Sequence, residues 1–541
     1  MKQLIIITLL VILTTSCVAD RDKSKRTVIW FNQPAKTWNE AIPIGNGTLG
    51  GMVYGGIESD TIKINEETLW SGEPRDLQNY EAIKHLPEIR QLLLDGKTKK
   101  AEKLINKTML GEYNESYMPM GDLVINSTPK DKVENYSRQL DLDNGLVTVD
   151  YSIENVDYKK EVFASFPDKA IVVKLSASKP RQLNFSTSLS SLLKHQVEVK
   201  GNQVILSGNA PKHAYPDYTG VKPPVYEDGH GMRFQMNLLV RNKGGVVKSR
   251  NNEIVVENAD EVELILCAAT SFNGFDKNPV TEGNDYEKIC NQQISSLKSI
   301  DYKELKKQHI NDYSELFGRV SIDLGESEAG NLPINDRIKN YKPGEDPGLT
   351  ALYFQFGRYL LISSSRPGKF AQPSNLQGIW SRLLQPGWSA NWTLNCNAQI
   401  NYWSVETANL SELHLPLIEL TKELTVDGAK TAKNMYGTGG WIAHHNADIW
   451  RTTSPVGGSG LWAIYQVGSA WLCHHLWEHY EFTLDKEYLQ EVYPVMKSAA
   501  QFYFDNLQRD KDSFLVTNPS ESFENHFKKP DGTTGWACVG A

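Results

Sequence analysis

Four stretches of this chain carry residue types at spacings that could do chemistry. Asn391-Trp-Thr-Leu-Asn-Cys-Asn-Ala-Gln-Ile-Asn-Tyr-Trp403 gathers Asn391, Asn395, Asn397 and Asn401, shortly after Gln372-Pro-Ser-Asn-Leu-Gln-Gly-Ile-Trp380. Each carboxamide offers an acceptor and donors, so clustered asparagines can hold and orient a water. The same density also suits caps and Asx turns. Thr517-Asn-Pro-Ser-Glu-Ser-Phe-Glu-Asn-His526 supplies two carboxylic acids, Glu521 and Glu524. Desolvation among small and aromatic neighbours raises a carboxyl pKa, as a general acid requires, whereas on an open loop these would be solvated glutamates. Gly440-Trp-Ile-Ala-His-His-Asn-Ala-Asp-Ile-Trp-Arg451 sets His444, His445, Asp448 and Arg451 between two tryptophans. Polar groups between aromatic walls suit a sugar pocket. Adjacent histidines rarely hold one ion and no third ligand has sensible spacing, so neither a metal nor an organic cofactor is expected.

The fourth stretch is Pro43-Ile-Gly-Asn-Gly-Thr-Leu-Gly-Gly-Met-Val-Tyr-Gly-Gly56, followed by Ile64-Asn-Glu-Glu-Thr-Leu-Trp-Ser-Gly72. Its glycines permit positive φ and close backbone approach. A phosphate cradle is excluded by the lack of a strand–loop–helix context and of a P-loop lysine. It reads as a β-turn framework with a loop reaching a neighbouring domain.

In this order, the four stretches resemble glycoside hydrolase family 95, the α-L-fucosidases with some α-L-galactosidases, from Trp30 to the last residue. The resemblance implies an N-terminal β-sandwich, a helical linker, an (α/α)6 catalytic barrel, a C-terminal β domain and inversion at the anomeric carbon. The family's Asn-x-Asn before Asn-Tyr-Trp falls on Asn395 and Asn397, which would hold the attacking water where a base carboxylate is usual. Its Pro-Ser-x-Ser-Pro-Glu falls on Pro519 to Glu524, making Glu524 the general acid, with Phe523 in place of the usual proline. Thr393 stands where fucosidases of the family tend to carry His near the C5 substituent, and so resembles the α-L-galactosidase variant. Trp392, His444, His445, Asp448, Trp450 and Arg451 are expected to bind substrate with it. The family's base-polarising Asp lies far downstream of the acid. Because Ala541 comes 17 residues after Glu524, the expectation is a chain cut mid-loop, with an incomplete barrel.

The implied activity is exo-acting, inverting release of terminal α-L-fucose or α-L-galactose from glycans or hemicellulose side chains. A non-catalytic sugar-binding lipoprotein, or an inactive fragment, is the rival reading. A phosphorolytic α/α-barrel enzyme would need a phosphate pocket.

These residues need elements to hold them. The 541 residues suffice for two to four domains, and 40% hydrophobic content provides large cores. A formal charge of −8 gives no basic footprint, which argues against nucleic acid as a partner. Residues 1–19 read as an export signal: Lys2, then the apolar run from Leu4 to Leu13, too short to span a bilayer. Cys17 follows small residues as in a relaxed lipobox, so lipidation there and a periplasmic or outer-membrane location are expected. The other five cysteines are scattered without a CxxC pair and read as free thiols.

Period-two segments with turn residues between them predict a β-sandwich over 27–284, interrupted by helix from Tyr80 to Leu110. Residues 285–347 read as a helical linker. From 348 to 541 helical patterns alternate with long loops, as in part of an (α/α)6 barrel with its site on the loop end. Residues 352–362 are apolar all round, predicting a helix buried on every side.

Overall fold

The computed structural model describes residues 27–127, 132–521 and 524–540. The expected signal, lipidation at Cys17 and the substitution at Phe523 lie outside them.

The first half is two packed antiparallel sheets. In spatial order, the nine-stranded sheet runs Val28–Phe31, Glu134–Asp141, Leu146–Ile153, Val156–Ser165, Ala170–Ala177, Glu261–Thr270, Arg233–Lys243, Gln203–Asn209, Lys194–Lys200. The seven-stranded sheet runs Val246–Arg250, Glu253–Ala259, Leu183–Ser190, Gly121–Ser127, Ser59–Glu66, Leu49–Val53, Ile42–Gly45. Period-two alternation sends Leu123 and Ile125 from one sheet, and Ile171, Val173, Leu264 and Leu266 from the other, into a shared core.

The central strands of the nine-stranded sheet are apolar on both faces because their outer face is covered too. Helices Tyr286–Leu297 and Tyr302–Phe317, capped by the carboxylates of Asp285 and Asp301, lay Ile294, Leu297 and Leu305 on Phe163, Val172 and Ile265. The predicted linker is thus a third layer of the sandwich.

The helical interruption is a pair, Ala82–Leu94 and Thr98–Thr108. Its apolar stripe of Leu86, Ile89, Leu93 and Ile105 packs on Tyr436, Ile442, Phe502 and Trp536 of the second half. An insertion in the β-rich half therefore serves the core of the helical half.

The second half is built on helices Pro347–Ser364, Leu415–Thr431, Gly468–Thr483 and Lys486–Asn506. The first starts at a proline that needs no N–H partner, with the Asp346 carboxylate accepting from Leu349 N at 3.2 Å. Asp346 is also gripped by the Arg337 guanidinium, at 2.7 and 2.8 Å. Two expectations change here. Residues 352–362 are not buried all round. One face packs through Leu352, Tyr359 and Ile362, with Arg358 donating to the Leu316 and Phe317 carbonyls, whereas Tyr353 on the other is 77% exposed. The polar residues of this window, Gln355 and Arg358, are on the buried face, so hydrophobicity alone did not reveal which face meets a neighbour. Nor does helix persist to the end of the described residues. After Asn506 the backbone forms a small sheet of Gln508–Arg509, Leu515–Glu521 and Ala537–Gly540.

Asp346→Ala removes a helix cap and strands Arg337 with a buried, unpaired charge. A loss of about 3 kcal/mol in the stability of the helical half is expected, measured as a lowered urea midpoint.

Candidate functional site

The asparagine-rich stretch and the Gly440–Arg451 stretch meet as a short antiparallel pair, Trp392–Thr393 on Asn446–Ala447. Leu394 N donates to the His445 carbonyl at 2.6 Å, so Asn395 and His445 lie side by side. Immediately before the pair, Trp388, Ser389 and Ala390 all have left-handed φ, of 48°, 59° and 46°. Each such non-glycine residue costs about 1–2 kcal/mol, so the turn persists only because its surroundings hold it. The restraints come from the β-rich half: Tyr117 N donates to the Ser389 carbonyl at 3.0 Å, and the Asp217 carboxylate accepts from Trp388 N at 2.8 Å.

The predicted residues divide by environment. Trp392 has no face open to a ligand. It lies against Trp70, ring centroids 4.9 Å apart, and donates from Nε1 to the Pro373 carbonyl at 3.0 Å. Trp450 is likewise buried, its Nε1 donating to the Ser71 carbonyl at 3.0 Å. Asp448 is fully buried and accepts from Glu115 N at 2.8 Å and Trp450 N at 3.0 Å; burial pushes its pKa up. Arg451, at φ 59°, is buried between Glu423 at 2.6 Å and the Gln372 carboxamide oxygen at 2.9 Å. His444 is buried beside the Tyr436 hydroxyl at 3.2 Å, and desolvation takes its pKa down to about 3. These five side chains build the wall of the site; the aromatic spacing in the sequence could not separate wall from lining.

A second group has unspent hydrogen-bonding capacity. Asn395 is buried, and its carboxamide oxygen has no partner. Both ring nitrogens of buried His445 are unpartnered, and burial lowers its pKa to about 4, keeping it neutral near pH 7. Thr393 is buried with its hydroxyl donating to Asn391 Oδ1 at 2.9 Å, which also receives Asn446 Nδ2 at 3.3 Å. Asn397 opens the short helix Asn397–Asn401 and is exposed.

A further member lies just beyond the strand Leu515–Glu521 of the small sheet. Glu524, at φ 47°, brings Oε1 to 3.9 Å from His445 Nε2, with its side chain 52% exposed. Glu521, at the end of Leu515–Glu521, has both carboxylate oxygens buried and unpartnered. Desolvation, with Glu524 adding to it, pushes its pKa up to about 9, so the group is a neutral acid at pH 7. Of the two glutamates, environment singles out Glu521 as the protonated one, whereas motif position singles out Glu524.

The sequence reading missed the supports from the β-rich half. Glu66, buried, and Glu67, half-buried, stand at the head of the Ile64–Gly72 motif. Burial raises both, Glu66 to about 7, and Glu67 accepts from Gln372 N at 2.7 Å. Paired glutamates where a strand ends were the available signal. The glycine-rich stretch does reach the other half as expected: Gly47 N donates to the Ser363 carbonyl at 2.8 Å, and a side chain at Gly45 would strike that carbonyl.

A β-sandwich is thus joined to a helical half, with carboxyl, imidazole and carboxamide groups meeting on the loops of the latter. Residues 29–274 match the family model for the glycosyl hydrolase family 65 N-terminal domain, and residues 301–541 match that for the glycosyl hydrolase family 95 catalytic domain. The chain is 39% identical over 531 residues, 95% of its length, to Alpha-L-fucosidase 2 of Arabidopsis thaliana. It is 30% identical over 526 residues, 92% of its length, to "Probable alpha-fucosidase A" of Aspergillus niger. It spans 62% and 63% of those relatives' lengths. Among solved structures, a protein assigned as a kojibiose phosphorylase, from the human microbiome, shares the fold with a TM-score of 0.56 at 10% identity, covering 92% of this chain and 60% of that one. Residues 301–541 thus carry a glycoside hydrolase family 95 catalytic-domain match.

The Glu521 environment has a measurable consequence. Its folded pKa of about 9 lies above the unfolded value of about 4.3, so the folded state binds the extra proton between them. The contribution to stability is full below about pH 4.3, falls as pH rises, and levels off above about pH 9. Glu521→Gln should flatten that part of the stability profile, removing a slope of up to about 1.4 kcal/mol per pH unit, read from urea midpoints across the range.

Proposed function

We propose that this protein is an exo-acting, inverting glycoside hydrolase that releases terminal α-L-fucose or α-L-galactose from glycans or hemicellulose side chains, its helical half contributing to an (α/α)6 barrel. One observation carries the reading. The loops of the helical half gather buried polar atoms that have no partner within the protein: Asn395 Oδ1, both nitrogens of His445 and both oxygens of Glu521. Orphaned polar groups of this kind are costly unless a ligand or water completes them, and a polyol offers donors and acceptors together. The α-L-fucosidase relatives supply the sugar class, and the family supplies the bond that is broken.

In this mechanism Glu524 protonates the leaving oxygen while a water held by Asn395 and Asn397 attacks the opposite face. His445, neutral and beside Glu524, receives the sugar ring, and Thr393 borders its C5 substituent. Export with a lipid anchor at Cys17 to the periplasm or outer membrane accompanies this reading, on the pattern of residues 1–19. The raised pKa of Glu521 favours one variant: Glu521 as the proton donor in place of Glu524.

Hydrolysis of nitrophenyl α-L-fucoside and α-L-galactoside, with NMR of the released sugar's anomer, tests the activity; absence of both activities sinks it. On natural linkages, Glu524→Gln should lose about 10²–10⁴-fold in rate and Glu521→Gln far less. The reverse order would move the acid to Glu521.

L-Fucose and L-galactose differ only by a hydroxyl on C6, and a pocket discriminates against one added hydroxyl by about 10²-fold at most. Measurable galactosidase activity is therefore expected with Thr393, and Thr393→His should shift the kcat/KM ratio toward fucoside. An unchanged ratio removes Thr393 from specificity.

A further inference from the structure

Away from these loops, the helical half buries four more ionisable side chains in one cluster: Glu406, His414, His475 and His479. Glu406 lies five residues beyond helix Asn397–Asn401, and His414 directly precedes helix Leu415–Thr431. His475 and His479 stand at i,i+4 on helix Gly468–Thr483 and so share a face. Glu406 Oε1 is 2.8 Å from His414 Nδ1 and 2.7 Å from His479 Nδ1. One ligand atom from each of these three residues lies within 4.8 Å of the other two.

Among the described residues the ion-pair partners of Glu406 are His414 and His479, with no lysine or arginine. Glu406 Oε2 is also buried with no partner at all. A buried polar atom left unpartnered is expensive, and a bound cation is one way such sites are completed.

The donor set fits a borderline transition dication: two imidazole nitrogens and a carboxylate oxygen, as in His₂Glu zinc sites. The surrounding hydrogen bonds fit as well. With His414 bound through Nδ1, its proton sits on Nε2, which faces His475 Nδ1 at 3.0 Å. That outer partner fixes the ring, as the second hydrogen bond of a metal-bound histidine does. Ser411 Oγ, 3.3 Å from His479 Nδ1, or a water would complete four-coordination.

We infer that Glu406, His414 and His479 form a structural zinc site, positioned by His475, that staples the segment following Asn397–Asn401 to helix Gly468–Thr483. All four side chains are buried, so the role of the site is to hold the asparagine-bearing loop in place. Glu406, eight residues ahead of His414, and the His475-x-x-x-His479 pair were visible in the sequence, but 61 residues separate the two histidines that hydrogen-bond each other.

Elemental analysis of the protein, produced with zinc and purified without chelator, should find about one zinc per chain. X-ray absorption at the zinc edge should give two imidazole ligands at about 2.0–2.1 Å. A strong chelator should lower the unfolding temperature by about 5 °C, and zinc should restore it. Glu406→Gln should abolish stoichiometric binding, and His475→Gln should weaken it about 10–100-fold. Substoichiometric metal, with an unfolding temperature indifferent to chelator and zinc in the unsubstituted protein, would overturn the site. The cluster would then be a hydrogen-bonded clamp carrying its own proton on an imidazole.

Discussion

A single chain of buried hydrogen bonds ties the two halves of this molecule into one site. The Glu67 carboxylate accepts from Gln372 N, the Gln372 side-chain oxygen accepts from Arg451, and Arg451 is paired with Glu423. A guanidinium cannot be buried unless its donors are used, and here Nε, both terminal nitrogens and two separate loops are committed to it. Loss of any link leaves a charge or a carboxamide stranded in a low-dielectric interior. The Ile64–Gly72 motif of the β-rich half is therefore as much a part of the site as the loops that carry its chemistry.

That constraint accounts for where strain is tolerated. Three consecutive left-handed residues precede Asn391, and both Arg451 and Glu524 also have positive φ. Left-handed backbone at non-glycine residues relaxes unless its neighbours forbid it. Around Trp388–Ala390 and Arg451 the neighbours are Tyr117, Asp217, Trp70 and Ser71 of the β-rich half, while Glu524 N donates to the Leu461 carbonyl of the helical half at 3.3 Å. Loops held in this way keep conformations their own sequence would not hold, and Asn395 and His445 retain free hydrogen-bonding capacity.

The aromatic residues divide along the same line. Trp392 and Trp450 flank polar groups in the sequence as sugar platforms do, yet both rings are spent on the joint between the halves. Rings of that size bury much apolar area and can donate one hydrogen bond, so they suit a dry interface that still contains carbonyls. His445 Nε2 and Glu524 Oε1, by contrast, face each other at 3.9 Å on the loops, away from that joint.

Much was legible in the sequence. Period-two alternation predicted the sandwich, helical spacing predicted helix in the Tyr80–Leu110 insertion and in the linker, and ordered motifs pointed to the family. These signals are local, or depend on residues close in the chain. Other features were settled by residues hundreds of positions apart. Tertiary packing turned the linker into a third layer, made the inserted helices part of the second core, and left Tyr353 on an open face of a helix that reads as wholly apolar. It also decided which glutamate is shut away from water. Glu521 and Glu524 are three residues apart with similar neighbours, so their sequence context is nearly the same. Only the folded chain closes over both oxygens of one and leaves the other half exposed, because desolvation depends on what surrounds a group in space and not on what precedes it in the chain.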